Sequence, residues 1–235
     1  MKQIVIFCDG ASKGNPGSGG WGALCVVDGF VTELGGAVAD TTNNRMELKA
    51  SIEALKKISD KDGEVVLYTD SSYVINGITK WVHGWKMRNW KTKEKEDVLN
   101  QDLWRELVSL VETRKEKINW NYVGGHIGIA GNERVDEIAS LFAQGKNVSL
   151  FSGKLVDYKI DVLNVSYDEN TKKEKSVSRS RSNAKAYSYI SEVGGEVMVH
   201  KTWAECEARV KGVKARFKKA LSETEEKAIV EDFGK

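Results

Sequence analysis

Ile4-Val-Ile-Phe-Cys-Asp-Gly-Ala-Ser-Lys-Gly-Asn-Pro-Gly-Ser-Gly-Gly-Trp-Gly22 is the stretch that decides the fold. Its first half is apolar and β-branched, the composition of a strand buried on both faces. The strand ends on Asp9, and a glycine-rich turn follows that holds the chain's single proline, Pro16. Val65-Val-Leu-Tyr-Thr-Asp70 repeats the arrangement, a second apolar run ending on an aspartate. A buried carboxylate is costly unless something pairs with it. Two parallel neighbouring strands would bring Asp9 and Asp70 to one edge of a sheet, and two repelling carboxylates are a place for a divalent cation. The competing reading has each aspartate capping the turn after its strand.

Working outward, Trp21 to Val27 and Phe30 to Val38 read as strands joined at Asp28-Gly29, a two-residue hairpin signal. Three antiparallel strands therefore come first. A helix follows with Leu48, Ile52 and Leu55 on one stripe. Asn44 and Glu47 have capping-box spacing, so Glu47 reads either as a capping residue or as a side chain projecting toward Asp9 and Asp70. The 64–69 strand comes after a helical crossover and should pair in parallel with the first strand. Ser71 to Thr79 reads as a short helix, Leu99 to Glu112 as another, and Lys117 to Val123 as the fifth strand. A glycine-rich loop carrying His126 opens a last helix that buries Val135, Ile138, Ala139 and Phe142. Asp136 lies in its first turn, where the helix dipole alone would favour a carboxylate.

Between the short helices, Trp81, Trp85 and Trp90 are interleaved with Lys80, Lys86, Arg88, Lys91, Lys93 and Lys95. Cations with flat apolar faces suit a sugar-phosphate backbone. The alternative is a tryptophan core under a solvated lysine face. Trp81 and Trp85, one turn apart, fit that alternative better than Trp90, which is flanked by basic residues.

The chain has 235 residues, 40% hydrophobic and 30% charged, with a formal net charge of +2. That suffices for one large domain plus a small module, and net charge alone announces no polyanionic partner. Its three cysteines, Cys8, Cys25 and Cys206, have no metal-site spacing, which fits a reduced, cytoplasmic setting. No signal-like start and no membrane-length apolar run is present, so no membrane partner is expected.

Composition shifts after about Gly145. Residues 148 to 165 keep enough apolar side chains to pack back on the first domain. Residues 171 to 185 carry six basic residues and one acidic and read as a disordered basic linker. Counted from about Asp168 to Lys185, a flexible linker of roughly 18 residues spans about 21–25 Å r.m.s.. Order is expected again from Ala186, with a hairpin at Gly194-Gly195 and a helix from Trp203 capped by Thr202. The expected domains are thus 1–145, a tail and linker at 146–185, and a small α+β module at 186–235.

Taken together, Cys8-Asp-Gly with Gly14-Asn-Pro-Gly, Thr42-Asn-Asn-Arg-Met-Glu, Thr69-Asp-Ser-Ser-Tyr-Val, the 81–95 segment, Gly125-His and Asn132-Glu-Arg-Val-Asp resemble type 1 ribonuclease H, in family order and spacing, over about residues 1 to 145. The resemblance implies an α/β fold with a mixed five-stranded sheet flanked by helices. It implies an endoribonuclease that cuts the RNA strand of RNA/DNA hybrids by a two-metal mechanism, leaving 3′-hydroxyl and 5′-phosphate ends. Asp9, Glu47, Asp70 and Asp136 would hold two Mg²⁺, with Mn²⁺ a possible substitute, and His126 would assist proton transfer or product release. The resemblance puts Asn15, Asn43 and Asn44 on the RNA 2′-hydroxyls, Trp85 in the DNA channel, and Thr42 and Asn100 in a DNA-phosphate pocket. Ser72, Asp40 and Gly124 depart from common members, at substrate-gripping positions and not at the carboxylates.

The C-terminal module is similar to the hybrid-binding, viroplasmin-like domain through Thr202-Trp-Ala-Glu-Cys, Val210-Lys-Gly and Ala215-Arg-Phe-Lys-Lys219. That implies Tyr189, Trp203, Phe217, Lys218 and Lys219 as duplex contacts. Its hairpin is acidic, Glu192-Val-Gly-Gly-Glu196, where relatives are basic. The other reading is a small domain with core aromatics and a protein partner. For the whole chain, a DNA nuclease or resolvase of the same fold and a non-catalytic hybrid-binding protein are the alternatives. The asparagines and the basic segment weigh against the first, and the complete carboxylate set against the second. The expected partner is the RNA/DNA hybrid duplex, bound by a monomer.

Overall fold

The computed structural model describes residues 3–124, 128–165, 186–213 and 215–234. The chain divides into two compact units, Met1–Tyr167 and Asp168–Lys235. The expected basic linker and His126 lie outside the described residues.

In the first unit β1 (Gln3–Gly14), β2 (Gly17–Val27) and β3 (Phe30–Thr41) form an antiparallel meander. Helix α1 (Asn43–Lys57) crosses over to β4 (Glu64–Thr69), which pairs in parallel with β1. Helices α2 (Ser72–Asn76) and α3 (Val82–Met87) flank a π-helical turn, Gly77–Trp81, and α4 (Gln101–Thr113) leads to β5 (Ile118–Tyr122), parallel to β4. Helix α5 (Ala130–Ala143) follows. The sheet order is β5-β4-β1-β2-β3, with a further strand, β6 (Ser152–Lys154), beyond β3.

Among the described residues the sheet has six strands, not the five expected. Strand β6 (Ser152–Lys154) adds to β3 through Thr32↔Ser152, Val31↔Gly153 and Phe30↔Lys154. Ser-Gly-Lys has no apolar alternation, so nothing in its own sequence announces a strand. Its pairing comes from the free edge of β3 and from its flanks: Glu33 N–H donates to the Phe151 carbonyl and Leu155 N–H to the Gly29 carbonyl, both at 2.8 Å.

The alternation along β1 sets the two cores. Ile4, Ile6 and Cys8 pack with Leu48, Ile52 and Leu55 of α1 and Trp104 and Leu107 of α4. Val5 and Phe7 pack with Leu24, Val31, Ile129 and Val135, a cluster completed by Phe151, Leu155, Tyr158, Ile160 and Val162 from the segment after α5. The glycine-rich stretch is also corrected. Most of it is ladder rather than turn, because the helices lie on its backbone. A Cβ on Gly10 would sit 2.2 Å from Glu47 N, and one on Gly20 2.2 Å from the Ala139 carbonyl oxygen.

Trp90 is buried, contrary to the expectation from its basic neighbours. The Arg105 guanidinium stacks 4.8 Å above its ring, so the cation beside it covers the ring instead of drawing it into water. Trp81, Trp85, Trp104 and Tyr73 continue this aromatic cluster, with Trp85 against Trp104 at 5.5 Å.

The second unit is a three-stranded antiparallel sheet, β8-β7-β9, made of β7 (Ser188–Val193), β8 (Glu196–His200) and β9 (Ala215–Ala220), with α6 (Trp203–Val210) and α7 (Glu223–Phe233). Gly194 and Gly195 turn the hairpin with φ of 63° and 88°, the left-handed pair that a two-residue turn of this hand requires. Thr202 caps α6 in a full capping box with Glu205. Ile190, Ala220, Ile229 and Phe233 form its small core.

Candidate active site

Phe7 of β1 pairs with Tyr68 of β4, and two residues further each strand presents its aspartate, Asp9 and Asp70. The Phe7 and Tyr68 rings stack at 5.0 Å, which fixes the two strand ends side by side. Glu47 comes from α1. The helix starts two residues before the spacing suggested: Thr42, not Asn44, is the N-cap, accepting from Arg45 N–H. Glu47 is thereby freed of a capping duty and turns toward the sheet. Asp136 comes from α5 as its seventh residue, not from the first turn as expected; the first-turn acid is Glu133, because the helix already starts at Ala130. Asp9, Glu47, Asp70 and Asp136 line one cleft together with Gly10, Ala11, Ser12 and Asn43.

Asp9 is buried and accepts a hydrogen bond from Gly10 N–H at 2.7 Å. Burial, then the negative charge of Asp70, and further the charges of Asp136 and Glu47, push its carboxyl up to about 9. Glu47 is raised to about 7, chiefly by burial and also by Asp70, against the hydrogen bonds it receives from Ser71 and Asn43. Asn43 Nδ2 donates to Glu47 Oε1 at 2.8 Å, and the Ser71 hydroxyl donates to Glu47 Oε2. Neither donor brings charge. An all-oxygen set with excess negative charge matches the preference of hard divalent cations. Among the described residues no three such side chains already close into an ion cage. The carboxylates line an open cleft.

Asn43 stands on this cleft, and its N–H donates to Asn15 Oδ1 at 3.3 Å across the β1–β2 turn. Asn44 is half-buried beside it. Thr42 and Asn100 are linked through Arg45, whose N–H goes to Thr42 Oγ1 and whose Nη1 donates to Asn100 Oδ1 at 3.4 Å. Arg45 also forks onto Asp102 at 3.0 and 2.6 Å. Asn100 Nδ2 donates to the Tyr73 hydroxyl, as does Trp104 Nε1. Trp85 is half-buried in the aromatic cluster. Ser71, Arg45 and Tyr73 escaped the sequence reading of the site, although each stands inside a motif quoted for its neighbours.

In the second unit Trp203 lies between Tyr189 and Phe217, with ring centroids 5.6 Å apart on each side. Trp203 is 40% exposed and Phe217 53%. Ladder register sets Lys219 opposite Tyr189 and Lys218 opposite Ile190. Lys219 therefore shares the aromatic face, and Lys218 starts from the other.

Strand order, mixed pairing and flanking helices together make the first unit a ribonuclease H-like fold. The RNase H family model matches residues 1–144. The ribonuclease H of Maricaulis maris is 54% identical over 139 residues, 59% of this chain and 92% of that protein. That of Erythrobacter litoralis is 54% identical over 140 residues, 60% of this chain and 95% of its own. The crystal structure of LC9-RNase H1, a type 1 RNase H with the type 2 active-site motif, superposes with a TM-score of 0.56 at 33% identity, covering 66% of this chain and 80% of that one. The chain belongs to the ribonuclease H family, and it is an enzyme, a hydrolase. Among the described residues no helix is long and apolar enough to cross a membrane.

Proposed function

We propose that the first unit hydrolyses the RNA strand of RNA/DNA hybrids at the Asp9–Glu47–Asp70–Asp136 cleft, leaving 3′-hydroxyl and 5′-phosphate ends. The reading rests on one observation, the convergence of four carboxylates and Asn43 on a single cleft in a chain of this family. The four carboxylates would hold two Mg²⁺ ions, or Mn²⁺ in their place. Cations bound there supply Lewis-acid charge and an activated water to the scissile phosphate. Asn15, Asn43 and Asn44 present amides to the 2′-hydroxyls, the feature that separates RNA from DNA. The Thr42, Arg45 and Asn100 group and the tryptophan-lysine segment hold the DNA strand, and His126 moves a proton at the leaving group or aids release. A reduced, cytoplasmic setting suits three cysteines that are all free and buried. Incubation with matched RNA/DNA, RNA/RNA and DNA/DNA duplexes in Mg²⁺ tests the reading. Cleavage confined to the RNA of the hybrid supports it, and cutting of DNA/DNA overturns it.

The second unit is proposed to hold the same hybrid through the Tyr189–Trp203–Phe217 face. A stacked aromatic contributes about 1–3 kcal/mol by alanine substitution. Trp203→Ala is therefore expected to weaken hybrid binding by that amount in a fluorescence-polarisation titration, with turnover at saturating substrate little changed. The intact chain should also lose affinity with salt more steeply than a chain ending near Val165, because it neutralises more phosphates. Equal affinities and equal salt slopes would point to a protein partner instead.

A further inference from the structure

Glu33 of β3 is 3% exposed, yet it is ionised and fully partnered. Arg134 grips it with both forks, Nε to Oε1 at 2.7 Å and Nη2 to Oε2 at 2.9 Å. Tyr158 O–H donates to Oε1 at 2.5 Å and Phe151 N–H to Oε2 at 2.8 Å. Arg134 Nη2 reaches on to the Ser149 carbonyl at 3.1 Å. The centre thus ties β3, α5 and the 149–158 segment together. That segment lies wholly beyond the family match, which ends at residue 144.

Arg134 stands two residues before Asp136 on the same helical turn, with the fully buried Val135 between them. Helix α5 has no slack toward the sheet: Cβ atoms on Gly22 and Gly131 would meet the Val135 carbonyl oxygen and the Phe7 ring at 2.4 and 2.6 Å. Phe7 in turn stacks on Tyr68. The strands and helix that bear Asp9, Asp70 and Asp136 therefore meet at Phe7. Phe151, Tyr158 and Ile160 pack against the same cluster.

We infer that the 149–158 segment is a positioning element for the cleft, acting through Tyr158, Glu33 and Arg134 to hold α5, and with it Asp136, at its distance from Asp9 and Asp70. The inference rests on the reading of Asp136 as a metal-holding carboxylate. Side chains that orient ligands directly change metal affinity about 10–100-fold when altered. Tyr158 acts one step further out, so about a three- to tenfold effect is expected for Tyr158→Phe, which removes one hydroxyl and keeps the ring.

The test is a calorimetric titration of the full chain with MgCl₂ in the absence of nucleic acid, beside hybrid cleavage at several Mg²⁺ concentrations. For Tyr158→Phe the Mg²⁺ Kd should rise about three- to tenfold. At low Mg²⁺ kcat should fall and recover as Mg²⁺ is raised, with KM for the hybrid unchanged. Val108→Ala, a core change on α4 away from this cluster, should lower Tm without moving the Mg²⁺ Kd. A Tyr158→Phe protein with a lowered Tm and an unchanged Mg²⁺ Kd overturns the proposal, provided Asp136→Asn does weaken Mg²⁺. An unchanged Kd in Asp136→Asn overturns the metal-site reading itself, and the proposal with it.

Discussion

Asp70→Asn is expected to abolish hybrid cleavage in Mg²⁺ while the protein stays folded and, free of metal, becomes slightly more stable. Both halves follow from one observation. The Asp70 charge is among the causes that lift the carboxyls of Asp9 and Glu47 above their usual range, so it opposes the folded, metal-free state. It is also one of the charges that would draw the cations in. Removing a single neutral donor from a transition-state site costs about 10²–10³-fold in kcat. Losing a full ligand charge should cost more. Cleavage assays at saturating hybrid with thermal melts in EDTA check both halves, and near-normal turnover would remove Asp70 from the site.

Glu33→Ala should destabilise the first unit by about 3 kcal/mol, the lower end of the range for breaking a buried ion pair. The lower end applies because Arg134 keeps a bond to Glu137 at 2.7 Å and its side chain is 18% exposed. Burial alone would raise the Glu33 carboxyl, but the hydrogen bonds from Arg134, Tyr158 and Phe151 outweigh it and hold it below the usual 4.5. A carboxyl depressed on folding contributes stability that is present above its unfolded value and lost as pH falls through its folded one. The wild-type melting temperature should therefore drop as pH goes below about 4.5, and Glu33→Gln should flatten that limb. Urea titrations at pH 7 give the first number and melts from pH 7 to 3 the second.

Asp9 and Asp70 were legible because each ends an apolar strand, and parallel pairing follows from a helical crossover. Glu47 and Asp136 were not legible from spacing alone. A two-residue difference in where α1 begins decides whether Glu47 caps the helix or faces the cleft, and the spacing predicts a first-turn dipole position for Asp136, which is instead the seventh residue of α5. Glu33 was invisible for another reason: its partners lie 101 and 125 residues away in the chain, and local pattern carries no trace of them. Trp90 misled because its burial is by a cation, Arg105, which sequence reading counts as polar. The second unit's hairpin and its Thr202 cap were legible, being local in origin.

Strand β6 covers the Phe30–Thr32 end of what would otherwise be an open template. Without it β3 would present a row of free N–H and C=O groups, the geometry on which another chain can add a strand. Residues 151–155 are made after every other strand of this sheet. A nascent first unit therefore passes through an interval in which β1–β5 and α5 have been made while one rim is still unsealed. Self-association would be favoured in that interval, as it is for partly folded chains with bare strand edges. The seal is only three residues long, but it is anchored by Phe151 and Leu155 on its two sides. A chain cut at the family boundary would remain in the unsealed state permanently.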